Sequence, residues 1–210
     1  MNIFLILLSS TMCYFLTKKI YRRLVVNYPN YASEHSQYIK ALAIIVNFLL
    51  QFKFLNKLNT VNFFMYGTFK QLLVPICIMS IIVISSCLAI SSAVDILTYE
   101  LPDELNLLVG ISIIPIAFFL YSGLSILTGI AIFIIYFLLA IFTNSFGMGD
   151  VKLSLAIGMG LKFSLLFKFI FFAFLFASIF SILKIATKKA NLKSEIAFGP
   201  YIVLSFILLF

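Results

Sequence analysis

A chain of 210 residues with 63% hydrophobic and only 10% charged side chains lies far outside the soluble range of roughly 45–50% apolar and about 25% charged. That composition excludes a soluble globular protein and leaves no room for a separate soluble domain. The net charge of +8 does not point to nucleic acid, because many basic residues cluster at Lys18, Lys19, Arg22 and Arg23 and again at Lys184, Lys188, Lys189 and Lys193, the positive-inside pattern of a protein embedded in a lipid bilayer.

The expected fold is all-α: a polytopic integral membrane protein of the cell membrane with about eight transmembrane helices, in a single domain over 1–210. Residues 1–16 are apolar and run directly into the first basic cluster. This order is the reverse of a signal peptide, so they predict a retained helix with its N-terminus outside. The mostly polar stretch 17–40, punctuated by Asn27, Tyr28, Pro29 and Asn30, reads as a cytoplasmic loop. Residues 41–55 are a short apolar segment containing Lys53, which crosses only with local thinning or snorkelling of that lysine. The loop after it, with Lys57 and Lys70, then falls outside.

Residues 71–94 form a long apolar run ending at Asp95, with Pro75 as a candidate kink. Segments 105–121 and 125–142 form a pair joined near Ser122 and Gly123, 151–161 is a short apolar piece, and 163–183 and 196–210 complete the series. The 25 Phe and absence of Trp read as lipid-facing composition. Cys13, Cys77 and Cys87 lie in apolar runs without CxxC spacing and read as small apolar filler, not as zinc ligands. Cys77 and Cys87, ten residues apart on one expected helix, are about 15 Å apart along its axis, too far for a disulfide. The solitary His35 excludes HExxH chemistry and reads as a solvated loop residue. No metal or cofactor is expected.

The chemistry concentrates in two polar islands, 95–104 (DILTYELPDE) and 147–152 (GMGDVK), which hold five of the seven acidic residues. Acids are costly at membrane depth and mark function there. Two crossings separate Asp95 from Asp150, so both return to the same face and can meet. Asp103 and Glu104, after Pro102, are helix-start residues that read as caps, and Asp150 can serve as an N-cap as well. Gly147 and Gly149 allow close backbone approach or positive φ.

Two carboxylates brought together share a proton, one acting as base on a water and the other as acid on a scissile carbonyl. That is aspartic protease chemistry. At a helix C-terminus under apolar sequence, Asp95 is the expected protonated member; at a helix start beside glycine amides, Asp150 is the expected ionised one, although the proton belongs to the pair.

These residues resemble the type IV prepilin leader peptidases, membrane aspartic proteases of the GxGD kind. SAVDILTYELPDELNLLVGI resembles the family's first aspartate motif, with Asp95 catalytic and Pro102 and Asp103 in the LPD element. FGMGDVKLSLAIGMGL resembles the second, with Asp150 catalytic and Gly147, Gly149 and Lys152 around it. IAFGPYIVLSF resembles the closing FGP segment at Phe198, Gly199 and Pro200. The resemblance implies an aspartic peptidase core over 71–210 that removes leaders from prepilins or pseudopilins at the cytoplasmic face, with no cofactor. Residues 1–70 depart from the pattern as a reduced N-terminal region in which IYRRL at 20–24 is only faintly similar. The paired CxxC motifs of bifunctional members are missing, which implies cleavage without N-methylation. Two other readings stand beside this one. A small transporter or channel component would use the acids for a cation or proton, and a non-catalytic pilus assembly protein would survive loss of both aspartates.

Overall fold

The computed structural model describes residues 2–27, 36–60, 67–121, 123–143, 146–187, 194 and 196–210. Among them the chain folds into eight α-helices: α1 (Asn2–Asn27), α2 (Ser36–Thr60), α3 (Gly67–Thr98), α4 (Asp103–Tyr121), α5 (Ser125–Thr143), α6 (Met148–Gly158), α7 (Leu166–Ala186) and α8 (Gly199–Leu209), with a 3₁₀ turn at Phe163–Leu165 before α7. The described residues contain no strand. This is the arrangement hydrocarbon demands of a chain with no water for its backbone, since a helix satisfies its own amides and carbonyls.

By length and composition five segments can cross a bilayer: Gln37–Lys57, Val74–Thr98, Asp103–Tyr121, Ser125–Thr143 and Phe163–Ala186. The expectation of about eight spans is met only this far. Helices α6 and α8 have 11 residues each and are therefore about 16 Å long, roughly half of a hydrocarbon core of about 30 Å. Residues 41–55 are part of the longer α2, so that crossing needs no thinning. Lys53 on α2 donates to the Ile207 and Leu208 carbonyls. It thereby covers the C-terminal end of α8, where a cation opposes the negative pole of the helix. Lys57 Nζ donates to the Tyr121 hydroxyl at 2.6 Å. The side chains of Lys70 and Arg23 and all of His35, Lys188, Lys189 and Lys193 lie outside the described residues.

The loop expected at 17–40 is corrected: α1 continues through both basic pairs to Asn27. Lys and Arg are good helix formers, and no Gly or Pro interrupts the chain before Pro29. Helix α3 likewise runs unbroken past Pro75.

Helix α3 is the hub. It packs against α1, α2, α4 and α8, and 67% of its apolar window is buried, against 22% for α5 and for α7. The exposed faces of the outer helices carry Phe142, Phe167 and Phe171, matching the lipid-facing reading of the phenylalanines. Between helices in lipid the hydrophobic effect offers little, so close packing and polar contacts do the holding. Both occur. At the α5–α6 crossing, a Cβ on Gly158 would stand 2.8 Å from Gly129 Cα, so the two backbones touch. Between α1, α2 and α3, Cys13 Sγ lies 3.2 Å from Ser86 Oγ and 3.6 Å from the Ala43 carbonyl, while Ser85 Oγ donates to Asn47 Oδ1 at 3.2 Å. Cys13 is thus part of a buried polar seam, not apolar filler. Cys77 and Cys87 do sit in the apolar core.

Candidate active site

Asp95 lies in the last turn of α3, buried at 4% exposure. The helix ends three residues later at Thr98, where Tyr99 takes a left-handed φ of 57° and its amide donates to the Asp95 carbonyl at 2.9 Å. A non-glycine residue with positive φ is uncommon; here it turns the chain from α3 into Leu101 and Pro102. The Pro102 carbonyl then accepts from Leu105 and Asn106 and opens α4. Asp103 and Glu104 occupy the first turn of α4, where acids complement the helix dipole. Asp103 makes its contacts outward, with both carboxylate oxygens accepting from Lys152 Nζ at 2.8 and 2.7 Å.

The Asp95 carboxylate meets the start of α8. Gly199 N–H donates to Asp95 Oδ2 at 2.8 Å. The amides that open a helix lack internal partners, and at α8 the account closes completely. Gly199 is served by Asp95, Pro200 has no N–H, and Tyr201 and Ile202 donate to the Phe198 carbonyl. A side chain at 199 is ruled out by space, since a Cβ there would lie 2.8 Å from Asp95 Oδ2 and 3.3 Å from Leu101 Cδ2.

Asp150 sits in the first turn of α6, at 9% exposure. Its own amide closes that turn on the Gly147 carbonyl at 3.1 Å. Gly147 is the N-cap residue, with φ −69°, and no side chain caps the helix. The expected capping role of Asp150 is therefore not taken up. The glycines serve closeness, not positive φ: a Cβ on Gly149 would stand 2.8 Å from Leu101 Cβ, so α6 begins directly against the turn between α3 and α4. Asn106 Nδ2 donates to the Gly149 carbonyl at 3.2 Å and pins the same approach. Leu101 thus touches the glycines of both later motifs. The two islands and the FGP segment converge at one end of the bundle, as the even number of crossings requires.

Asp150 lies outside the five candidate spans. Burial first, and then the neighbouring Asp95 charge, push its carboxyl up to about 8. Its Oδ1 is buried without a hydrogen-bond partner. The donor at this site goes to Asp95: the Gly199 amide, at the positive pole of α8, meets it from outside its own helix. The expectation of an ionised Asp150 at a helix start is corrected, since burial and the neighbouring charge favour its protonated form.

Sequence reasoning passed over Asn106, Tyr136 and Phe146. Tyr136 on α5 is fully buried, with ring contacts to Phe146 at 5.2 Å, Phe174 at 6.0 Å and Phe198 at 6.2 Å. The available signals were a lone Asn in the apolar opening of α4 and a hydroxyl inside the most apolar span. Beyond the pair, a groove of about 450 Å³ runs between α4 and α6 from Asp103 and Lys152 past Gly110 and Ile114. Among the described residues no group of three or more His, Cys, Asp or Glu side chains could hold a metal ion.

The model of the type IV leader peptidase family matches residues 82–182, a segment that contains both aspartates and ends before the FGP turn. No curated protein matches the chain. No solved structure matches it either.

Proposed function

Because residues 82–182 match the model of the type IV leader peptidase family, we propose that the chain is an aspartic endopeptidase with Asp95 and Asp150 as its catalytic pair. In this reading Asp95 takes a proton from water as the water oxygen attacks the scissile carbonyl carbon, and Asp150 gives its proton to the carbonyl oxygen. Collapse of the tetrahedral intermediate returns that proton to Asp150, while Asp95 passes its own to the leaving amine nitrogen, so the pair ends as it began. The observation that carries the reading is the unequal pair itself. One buried carboxylate holds a backbone donor at 2.8 Å, and the other, within reach of its charge, has its carboxyl held protonated by burial.

The substrates are prepilins or pseudopilins, cut at the cytoplasmic face of the cell membrane, commonly after a glycine that precedes an apolar helix. Lys152, Pro102, Asp103, Gly147, Gly149, Gly199 and Pro200 support the pair by shaping the turns that bring it together. The enzyme cleaves without methylating the new N-terminus, since no paired CxxC motif is present in the sequence.

Co-expression with a prepilin, with leader loss and N-terminal mass read together, is the test. Leader loss without an added methyl group is expected. An intact leader at verified membrane expression overturns the peptidase reading, and a methyl group traceable to the purified protein alone overturns the second part. Ion flux without proteolysis would favour a transporter, and pilus assembly that survives loss of both aspartates would favour a scaffold.

A further inference from the structure

Among the described residues Tyr136 is the largest fully buried side chain, and its place is specific. Phe146 directly precedes Gly147, the N-cap residue of the helix that carries Asp150. Phe198 directly precedes Gly199, the donor to Asp95. The rings of Phe146 and Phe198 meet at 4.8 Å, and Tyr136 contacts both. It therefore sits where the two site-forming turns close on one another. A phenylalanine would fill that aromatic box equally well, because edge and face contacts need no hydroxyl.

The hydroxyl needs its own explanation. Tyr136 Oη is buried with no hydrogen-bond partner, and so is Asp150 Oδ1. The charge of an ionised Asp150 acts on the Tyr136 hydroxyl. Buried polar atoms left unpaired are costly, and one shared water relieves a donor and an acceptor together. We propose that Tyr136 is a positioning residue for Asp150: its hydroxyl and Asp150 Oδ1 hold one water between them, and this link orients the carboxyl that donates to substrate. The consequence for cleavage rests on the peptidase reading, whereas the link itself does not.

Tyr136→Phe keeps the ring and removes only the hydroxyl, so the melting temperature in detergent should stay unchanged. The turnover number on a prepilin peptide should fall about 10²-fold, the scale of a misplaced reacting group, with KM unaltered. The infrared C=O band of the Asp150 carboxyl, identified by its loss in Asp150→Asn, should shift in Tyr136→Phe. A band that shifts in Tyr136→Phe, when the wild-type protein cleaves nothing, keeps the link and refutes the peptidase reading. Wild-type turnover with an unmoved band overturns the proposal. So does a loss of turnover that comes with a lower melting temperature and an unmoved band, since that is packing alone.

Discussion

Gly199 N–H donates to Asp95 Oδ2 across 2.8 Å, joining the first turn of α8 to the last turn of α3 over a separation of 104 residues in the chain. The contact removes an orphan amide from a helix start and supplies a donor to a buried acid in one step. It also explains why the residue before Pro200 is a glycine.

Gly199→Ala should therefore damage the site more than the fold. The added Cβ would lie 2.8 Å from Asp95 Oδ2, and the carboxylate must move or lose its amide. A displacement of about 1 Å costs about 10²-fold in rate. Cleavage rate and melting temperature measured on the same purified variant separate the two effects. Unchanged cleavage would show that the amide is not used.

Asp95→Asn and Asp150→Asn should each lower cleavage by orders of magnitude, and the double variant should fall little further, because residues that act as a unit are not additive. Lys152→Ala should do far less. Its pair with Asp103 is exposed at both ends, 47% and 68%, and such pairs contribute about 0–1 kcal/mol. Rates at matched membrane expression test all four. Near-wild-type cleavage by either single Asn variant would exclude the dyad.

The sequence made some of this legible and hid the rest for physical reasons. Parity of crossings sufficed to bring Asp95 and Asp150 to one end, because a chain that spans twice returns to its face whatever the packing. Polar residues stand out against apolar sequence, so the islands were plain. The donor that meets Asp95 was not legible because it comes from α8, distant in sequence, and not from α3. Tyr136 was hidden because lipid and core are both apolar, so a span facing either leaves no periodic signature. Helix α1 was cut short because a basic cluster reads as a loop, although Lys and Arg can extend a helix and keep their charges in water.

Reporter or cysteine labels placed after Glu100 and after Lys152 should both report the cytoplasmic face. Leu101 and Gly149 are in contact range, and Asp103 pairs with Lys152 at 2.7 Å, so the two labels cannot be separated by a membrane. The basic residues of α1 and Lys184 in the last turn of α7 set the expected orientation. Labels on opposite faces would break the shared site, and both outside would invert the topology while leaving the pair intact.

The last expectation concerns pH. The Asp150 carboxyl is pushed up to about 8 by burial and by Asp95, while an unfolded aspartate titrates near about 3.9. The folded state thus binds the proton more tightly than the unfolded state does. Its contribution to stability is fully present below about pH 4, declines between about 4 and 8, and is gone above that range. Turnover should follow the same carboxyl from the other side, falling above about pH 8 as Asp150 loses the proton it must donate. Asp150→Asn removes the titrating group, so its melting temperature should vary less with pH across this window than that of the wild type. Thermal melts of both proteins from pH 4 to pH 9, paired with the wild-type pH–rate profile, decide the matter. A wild-type profile that stays flat through pH 9, with parallel melting curves, would mean that Asp150 is already ionised at neutral pH and that the roles of the two aspartates must be exchanged.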